Sequence, residues 1–214
     1  MSDLRTEEEQ IELMKKWWAD NGKSLIVGLV LAVAAIVGWK WWQADQQAKA
    51  EAASSAYEQL IDVMNKPELT EEERATAQHL AVTLQSEHEG SLYADYAALF
   101  EAKLLVDADQ FDAAAAVLKK LNSQTKNAII KEVSGVRQAQ ILWQQGSNQQ
   151  ALDLLNALKT DAYKGNADEL KGDILAEMGD KDAARTAYES AKAAFAAAGV
   201  ARPVIDMKLA DLGA

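Results

Sequence analysis

The sequence predicts an all-α protein that has a single N-terminal transmembrane helix followed by a helical-repeat domain of the α-solenoid type. Three observations favour this fold class. An uncharged apolar run lies near the N-terminus, between two groups of tryptophans. The remainder is rich in alanine, which favours helices, and Pro67 and Pro203 are the only prolines in the chain. Small and large residues also recur there at a long, nearly constant spacing, which is typical of stacked helical hairpins.

Composition and charge exclude several classes of function. The chain has no cysteine, which rules out disulfides, thiolate metal sites and cysteine nucleophiles. Its formal net charge is −11, and residues 43–214 contain 27 acidic against 17 basic residues. A domain with this excess of acidic residues repels phosphate backbones, so nucleic-acid binding is not expected.

The apolar run from Leu25 to Trp39 contains fifteen residues without a charge, nine of them Leu, Ile or Val. These nine contribute roughly −3 to −5 kcal/mol to insertion near the bilayer centre. The uncharged stretch 24–39 spans about 24 Å as a helix, slightly less than the ~30 Å hydrocarbon core. Lys23 and Lys40 close this gap by extending their ammonium groups to the two interfaces. Residues 24–42 are therefore predicted to form a transmembrane helix.

Five of the six tryptophans flank the apolar run. Trp18 and Trp39 lie about 31 Å apart along a helix, which matches the separation of two interfacial aromatic belts. A core helix of a soluble protein does not require indoles at both ends. A cleaved signal peptide is disfavoured by the acidic region before the run and by the lack of a small-residue cleavage site after it. The predicted membrane anchors are Trp17, Trp18, Lys23, Trp39, Lys40, Trp41 and Trp42.

Residues 1–23 are predicted to be a cytoplasmic tail that contains a short interfacial amphipathic helix. Apolar residues between Ile11 and Trp18 follow helical spacing, and the Asn21-Gly22 pair is expected to end this helix. Four basic residues precede the apolar run, whereas two follow it closely. In a bacterium this bias predicts a single-pass inner-membrane protein with a cytoplasmic N-terminus and a periplasmic C-terminal domain.

Residues 43–90 are predicted to form a helical linker and a first helical pair. The first helix is expected to continue out of the membrane from Gln43 to about Asn65. The sequence Thr70-Glu71-Glu72-Glu73 is typical of a capping box, in which a threonine side chain and a glutamate side chain each accept a backbone N–H at the start of a helix. A second helix is therefore expected to begin after Thr70.

Three repeated units follow between residues 91 and 202, spaced 37 and 33 residues apart. Each has an alanine near the start of its second helix, and small or large residues stand at fixed offsets from it. The aligned sets are Ala114, Ala151 and Ala184; Ala102, Ala139 and Gly172; Leu105, Leu142 and Leu175; Leu118, Leu155 and Tyr188; and Leu121, Leu158 and Ala191. At the turn between the helices, two units have Gly146 and Gly179, where the first has Asp109.

This spacing resembles the tetratricopeptide repeat, in which small residues at a helix crossing let two antiparallel helices pack closely. The first-helix Trp and the closing Pro of that family are missing, so the repeats are degenerate. Three unrelated hairpins in an alanine-rich chain are the alternative. Because proline is favoured at the first position of a helix, residues 203–214 are predicted to form a capping helix that opens with Pro203.

No catalytic constellation is found in the sequence. His79 and His88 are the only histidines, and their spacing does not place them on one helical face as metal ligands. Neither a nucleophile elbow nor a glycine-rich nucleotide loop is present. A protein-binding protein without enzymatic activity, metal or cofactor is therefore expected.

The resemblance to tetratricopeptide repeats implies a concave groove lined by the first helix of each hairpin. Trp143 is the one tryptophan outside the membrane region, and it is either an anchor for an extended peptide or packing between adjacent hairpins. The Lys, Asn and Arg clamp that some members use for C-terminal carboxylates is not recognised in this set. The predicted groove residues are Tyr96, Leu99, Lys103, Val106, Val136, Gln140, Trp143, Gln144, Glu169, Asp173 and Glu177.

The whole sequence resembles the YfgM family, the ancillary subunits of the bacterial SecYEG translocon. The resemblance is strongest in the strings Ala19-Asp20-Asn21-Gly22-Lys23-Ser24-Leu25 and Gly38-Trp39-Lys40-Trp41-Trp42, and it extends through the degenerate repeats. It implies that the partners are the SecYEG translocon, a PpiD-like periplasmic chaperone and unfolded secretory polypeptides. It also implies a contact between the cytoplasmic tail and a response regulator. A scaffold or assembly factor for another inner-membrane or envelope complex would have the same fold and is the alternative.

Overall fold

The computed structural model describes residues 7–158 and 161–213, and within these ranges the secondary structure is helical without strands. The chain divides into two compact units, the first ending at Glu51 and the second beginning at Ala52. The helices are α1 (Glu7–Met64), α2 (Glu71–Glu87), α3 (Leu92–Asp107), α4 (Phe111–Gln124), α5 (Ala128–Gln144), α6 (Asn148–Asn156), α7 (Lys164–Glu177), α8 (Lys181–Ala197) and α9 (Pro203–Asp211), with a short 3-10 turn at Asp161–Tyr163. The all-α fold class predicted from the sequence is confirmed.

Helix α1 is, among the described residues, the helix long and apolar enough to span a membrane. Its most apolar window of 18 residues has a mean hydropathy of 2.0, and only 6% of that window is buried within the protein. The tryptophan side chains on both sides of the apolar run are exposed, as lipid-facing or interfacial side chains would be. The rings of Trp39 and Trp42 contact each other, with centroids 5.2 Å apart.

The predicted end of the N-terminal amphipathic helix at Asn21-Gly22 is wrong, because α1 passes through both residues without a break. Asn21 remains helical and its side-chain Nδ2 donates to the carbonyl oxygen of Trp17 at 3.1 Å. The indole of Trp18 covers Gly22, so that a Cβ atom added there would lie 3.2 Å from the ring. A single glycine weakens a helix by only about 1 kcal/mol, so flanking helical residues continue it.

The start of α2 has the capping geometry that the sequence predicted. The Oγ1 atom of Thr70 accepts the backbone N–H of Glu73 at 3.3 Å, and the Glu73 carboxylate accepts the Thr70 N–H at 2.9 Å. Hydrogen bonds from Lys66 and Thr70 lower the pKa of Glu73 to about 2. Two further predictions are confirmed: α1 ends at Met64, and Pro203 opens α9 at its first turn.

Helices α3 to α8 form three consecutive antiparallel hairpins in the register predicted from the repeat. The three reference alanines, Ala114, Ala151 and Ala184, are completely buried. The turns of the second and third hairpins contain glycines with positive φ, 75° at Gly146 and 84° at Gly179. Asp109 takes the same left-handed conformation in the first hairpin, with φ of 58°.

The core of the second unit is a series of apolar clusters that follow one another along the stack. One cluster joins the end of α1 to α2 and α3 around Leu60 and Leu84, and a second joins α3, α4 and α5 around Leu118. A third joins α5, α6 and α7 around Leu155, and a fourth joins α8 and α9 around Tyr188. Each hairpin thus buries its apolar face against its neighbours, as expected for stacked repeats.

Candidate functional site

A groove of about 450 Å³ runs along α3 and α5 on the surface formed by the first helices of the hairpins. Its walls combine apolar side chains, long amides and two cationic side chains. The lining residues are Ala102, Lys103, Val106, Leu118, Arg137, Gln140, Ile141, Trp143 and Gln144. Five of the predicted groove residues, Lys103, Val106, Gln140, Trp143 and Gln144, therefore lie together in one concavity.

A second concavity of about 370 Å³ lies between α5, α7 and the segment before α9. It shares Arg137, Gln140 and Trp143 with the α3–α5 groove, so the two form adjoining parts of one surface. The predicted residues Val136, Glu169 and Asp173 line this second part. The two parts together lie along α3, α5 and α7, the first helices of the three hairpins, which is where helical repeats present their grooves to ligands.

The side chain of Trp143 both packs against the core and lines the concave surface, so it combines the two roles that the sequence left open. It is half-buried and packs against the apolar cluster of α5, α6 and α7. Its indole Nε1 donates to a carboxylate oxygen of Glu177 on α7 at 2.7 Å, which fixes the orientation of the ring. The remaining surface of the ring lines both parts of the concave surface. Trp143 is thus a packing residue with an oriented, accessible face.

Three of the predicted groove residues have structural surroundings that limit their access to a ligand. Leu99 and Val136 are 8% and 3% exposed and belong to core clusters. Tyr96 is more exposed, and its ring lies 5.9 Å from that of Tyr57 within an aromatic group at the end of α1. Adjacent residues of a helix point about 100° apart. An error of one residue in the register of a degenerate repeat therefore assigns a core residue to the groove.

Glu169 and Asp173 hold the C-terminal helix on α7. The carboxylate of Glu169 accepts hydrogen bonds from Arg202 Nε at 3.0 Å and from Lys208 Nζ at 2.9 Å. Lys208 also contacts Asp173 at 2.7 Å, and the hydroxyl of Tyr188 donates to Asp173 at 2.8 Å. We call Glu169, Asp173, Tyr188, Arg202 and Lys208 the α7–α9 clasp.

The clasp changes the ionisation of its members. Burial tends to raise the pKa of Glu169, but the hydrogen bonds from Arg202 and Lys208 outweigh it and lower the pKa below its usual range. Burial and the hydrogen bond to Asp173 raise the pKa of the Tyr188 hydroxyl. Burial tends to lower the pKa of Lys208, whereas Asp173 and Glu169 raise it. These carboxylates are therefore structural ion-pair partners, with their charges matched inside the protein.

Two cationic residues of the concave surface, Arg137 and Arg202, were not among the residues predicted from the sequence. Arg137 stands three, four and seven residues before Gln140, Ile141 and Gln144, so helical spacing alone placed it on the groove face. Arg202 precedes α9 in a connecting segment that has no counterpart in the repeat, and no periodic signal was available for it.

Within the described ranges, no group of three or more His, Asp or Glu side chains is arranged to hold a metal ion. His79 is exposed on α2, and His88 follows the end of that helix. The arrangement that the residues do form is a concave, partly apolar surface lined by long amides and cations.

Comparison with known proteins places this architecture in a family. The tetratricopeptide repeat-like domain family matches residues 15–214. A protein of Haemophilus influenzae named ancillary SecYEG translocon subunit is 31% identical over 87% of this chain and 88% of its own length. A protein of the same name from Aggregatibacter actinomycetemcomitans is 32% identical over 87% and 88%, and one from Escherichia coli is 30% identical over 89% of each chain. The chain therefore belongs to the family of tetratricopeptide repeat-like ancillary SecYEG translocon subunits.

Proposed function

We propose that this protein is a membrane-anchored, non-catalytic accessory subunit of the SecYEG translocon that binds secreted polypeptides and passes them to periplasmic chaperones. The observation that carries the proposal is the concave surface of α3, α5 and α7, where Trp143 is oriented by Glu177 beside exposed Gln140 and Gln144. An aromatic face among amides suits many sequences, because its contacts are apolar and adaptable. The names of the relatives identify those proteins with the translocon.

The proposed topology has residues 24–42 in the inner membrane, the tail in the cytoplasm and the repeat domain in the periplasm. The exposed apolar face of α1 and the tryptophans at its two ends support the membrane location. The excess of basic residues before the apolar run supports the orientation. The absence of cysteine leaves the domain insensitive to the oxidising periplasm.

The proposed recipient of the bound polypeptide is a PpiD-like periplasmic chaperone located at the same translocon. Its contact surface on this chain stays a prediction. A contact of the cytoplasmic tail with a response regulator stays a prediction as well, and residues 1–6 of that tail lie outside the described residues.

Anchoring beside the exit of a translocon gives a reason to expect weak binding. A tethered groove meets the emerging chain at an effective concentration that reaches about the millimolar range. A dissociation constant of about micromolar or weaker is then sufficient for capture and permits rapid release. Nanomolar binding of a single peptide sequence is contrary to this role.

Photo-crosslinking in cells tests the proposal on the full-length chain. A photoreactive residue at Gln144 lies in the groove, whereas one at the exposed Gln150 on α6 lies outside it and is the matched control. We expect Gln144 to label many secretory precursors and a translocon subunit, and Gln150 to label few precursors. Substitution of Trp143→Ala is expected to reduce the labelling from Gln144. A single stoichiometric partner at Gln144, with no precursors, would instead support a scaffold or assembly factor.

A further inference from the structure

The α3–α5 groove is lined by two charged residues, and both are cationic. In the whole chain, by contrast, acidic residues outnumber basic ones by 33 to 22. The two groove residues are Lys103 and Arg137. The Nη1 atom of Arg137 donates to the carbonyl oxygen of Leu99 at 3.2 Å, but the guanidinium has no ion pair within the described residues. It retains donors that are available to a ligand, since a guanidinium has five N–H groups. The groove is thus locally positive on an acidic protein.

A polar cleft of about 370 Å³ lies next to the groove and shares Lys103 of α3 with it. It is formed by the connection between α1 and α2, the start of α2, and two residues of α3. Its lining residues are Met64, Lys66, Pro67, Glu68, Leu69, Arg74, Lys103 and Asp107. Lys103 lines both the groove and the cleft, so the two concavities are neighbours at that side chain.

Arg74 is the cation of this cleft that lacks an anionic partner. Its side chain is half-buried, and the Nη1 atom is shielded from solvent without a hydrogen-bond acceptor in the described structure. Lys66 by contrast is paired with Glu73, and Lys103 with Asp107. A half-buried guanidinium without a counter-charge is unfavourable, and an approaching carboxylate that accepts from its N–H groups would stabilise it.

The ion pair that Lys103 forms with Asp107 does not prevent Lys103 from binding a ligand carboxylate. The Lys103–Asp107 pair has a length of 2.6 Å, and both side chains are well exposed. Surface pairs of this kind contribute little to stability, so a ligand carboxylate can share or replace Asp107 with little loss. Lys103 is therefore able to contact an anion that also contacts Arg74.

We infer that the α3–α5 groove and the adjoining cleft prefer polypeptide segments in which an acidic side chain lies close to an apolar one. The apolar side chain contacts Val106 and Trp143, and the carboxylate is bound by Lys103, Arg74 and Arg137 together. This inference rests on the proposed function and specifies its ligand. The groove lining carries it, because Lys103 and Arg137 line the groove without an acidic side chain, whereas the −11 net charge of the whole chain repels acidic segments elsewhere. In the cleft, Glu68 and Asp107 also line the wall, so Arg74 is the cation there that adds to the attraction.

Fluorescence anisotropy with three labelled peptides tests the inference on the full-length protein in lipid nanodiscs. The peptides share their apolar residues and have Glu, Gln or Lys at the same two positions. At low salt we expect the Glu peptide to bind about fivefold more tightly than the Gln peptide, as for the stronger surface ion pairs, and the Lys peptide to bind most weakly. Raising the salt from about 0.05 M to about 0.5 M should remove the preference, because it shortens the screening length several-fold.

Arg74→Gln is the decisive variant, because the Arg74 side chain forms no hydrogen bond or ion pair with the described part of the chain that its substitution would break. It should lower the affinity for the Glu peptide about fivefold and leave that for the Gln peptide unchanged. Arg137→Lys keeps the charge and should retain most of the preference, whereas Arg137→Gln should not. Arg185→Gln, at an exposed arginine on α8, is the matched control and should have no effect. Circular dichroism melting verifies that each variant is folded.

The failure of this inference is distinguishable from failure of the proposed function. Equal binding of the Glu and Gln peptides, with both dependent on Trp143, overturns the acidic preference and leaves a polypeptide-binding groove. Absence of binding by all three peptides overturns both. A third outcome also overturns the inference. If inorganic phosphate removes the preference for the Glu peptide, and chloride of equal ionic strength does not, the cations bind a free anion and not a peptide carboxylate.

Discussion

A Cβ atom placed on Gly172 of α7 would lie 2.4 Å from the ring of Tyr188 on α8, so the two helices approach closely enough for glycine alone. Both residues are buried in the third hairpin. The equivalent pairs of the first two hairpins are Ala102 with Leu118 and Ala139 with Leu155. The larger ring in the third hairpin is thus accommodated by the smaller residue opposite, so the volume at the crossing is balanced within each repeat.

Substitution of Gly172→Ala is predicted to lower the free energy of unfolding by up to about 2 kcal/mol. Alanine is favoured over glycine within a helix by about 1 kcal/mol, but overpacking a core position opposes folding by about 1–3 kcal/mol. Urea unfolding of the full chain in detergent, followed by far-UV circular dichroism, measures the difference. An increase in stability would show that the ring of Tyr188 moves aside without loss.

The double substitution Gly172→Ala with Tyr188→Leu recreates the combination found in the first two hairpins. Tyr188→Leu alone should destabilise the chain, because the hydrogen bond to Asp173 is lost. Since the leucine also removes the overlap with an alanine at position 172, the double variant should be more stable than the sum of the single effects. Strict additivity would mean that the two residues are not in steric contact.

The repeat could be predicted from the sequence because its small and large positions are fixed by close packing at each crossing. Asp109 and Gly146 stand at equivalent positions of the repeat, five residues before the reference alanine, and both adopt the left-handed conformation. The clasp could not be predicted, because Glu169 is 33 residues from Arg202 and 39 from Lys208, and such pairs have no periodicity. The continuation of α1 through Gly22 could not be predicted from the local Asn-Gly signal, because the helical residues on both sides override it.

Asp109→Gly is predicted to stabilise the protein by about 0.5–1 kcal/mol. An L-amino acid at φ of 58° is less favourable than glycine, although aspartate tolerates this region better than most residues. Gly146→Ala is the reverse change at the equivalent turn and should destabilise by about 1 kcal/mol. A Cβ atom at Gly146 meets no other atom within 4 Å, so its effect reports on the backbone alone. A lower unfolding midpoint for Asp109→Gly would contradict this account.

Val30→Arg is predicted to release the chain from the membrane. The exposed Val30 lies near the middle of the apolar run of α1, where an arginine is unfavourable by about 2.5–3.5 kcal/mol. Carbonate extraction should leave the unsubstituted chain in the membrane pellet and transfer part of the Val30→Arg chain to the supernatant. Gln46→Arg, on the same helix beyond the tryptophans, is the control and should remain in the pellet. Intact unsubstituted chain in the supernatant would contradict the membrane anchor itself.

The clasp predicts that the repeat domain loses stability in acid. The pKa of Glu169 in the folded protein lies below its ordinary value of about 4.5, because Arg202 and Lys208 stabilise the ionised form. A carboxylate with a depressed pKa contributes stability that is fully present above the unfolded pKa and is lost as the pH falls through the folded pKa. Asp168 has a lowered pKa as well, since hydrogen bonds from Lys164, Ser190 and Lys171 outweigh its burial. The free energy of unfolding should therefore fall progressively below about pH 4.5.

The variant Glu169→Gln distinguishes the loss of stability caused by protonation of Glu169 from a general effect of acid on the protein. The neutral amide leaves Arg202 and Lys208 without their shared counter-charge, so the variant should be less stable than the unsubstituted chain at neutral pH. Below about pH 4.5 the two stability curves should converge, because protonation removes the same charge from the unsubstituted protein. Glu189→Gln, at an exposed carboxylate on α8, is the control and should run parallel to the unsubstituted chain. Urea unfolding at a series of pH values measures all three curves. If the Glu169→Gln curve also runs parallel, the ion pairs with α9 do not control the acid response.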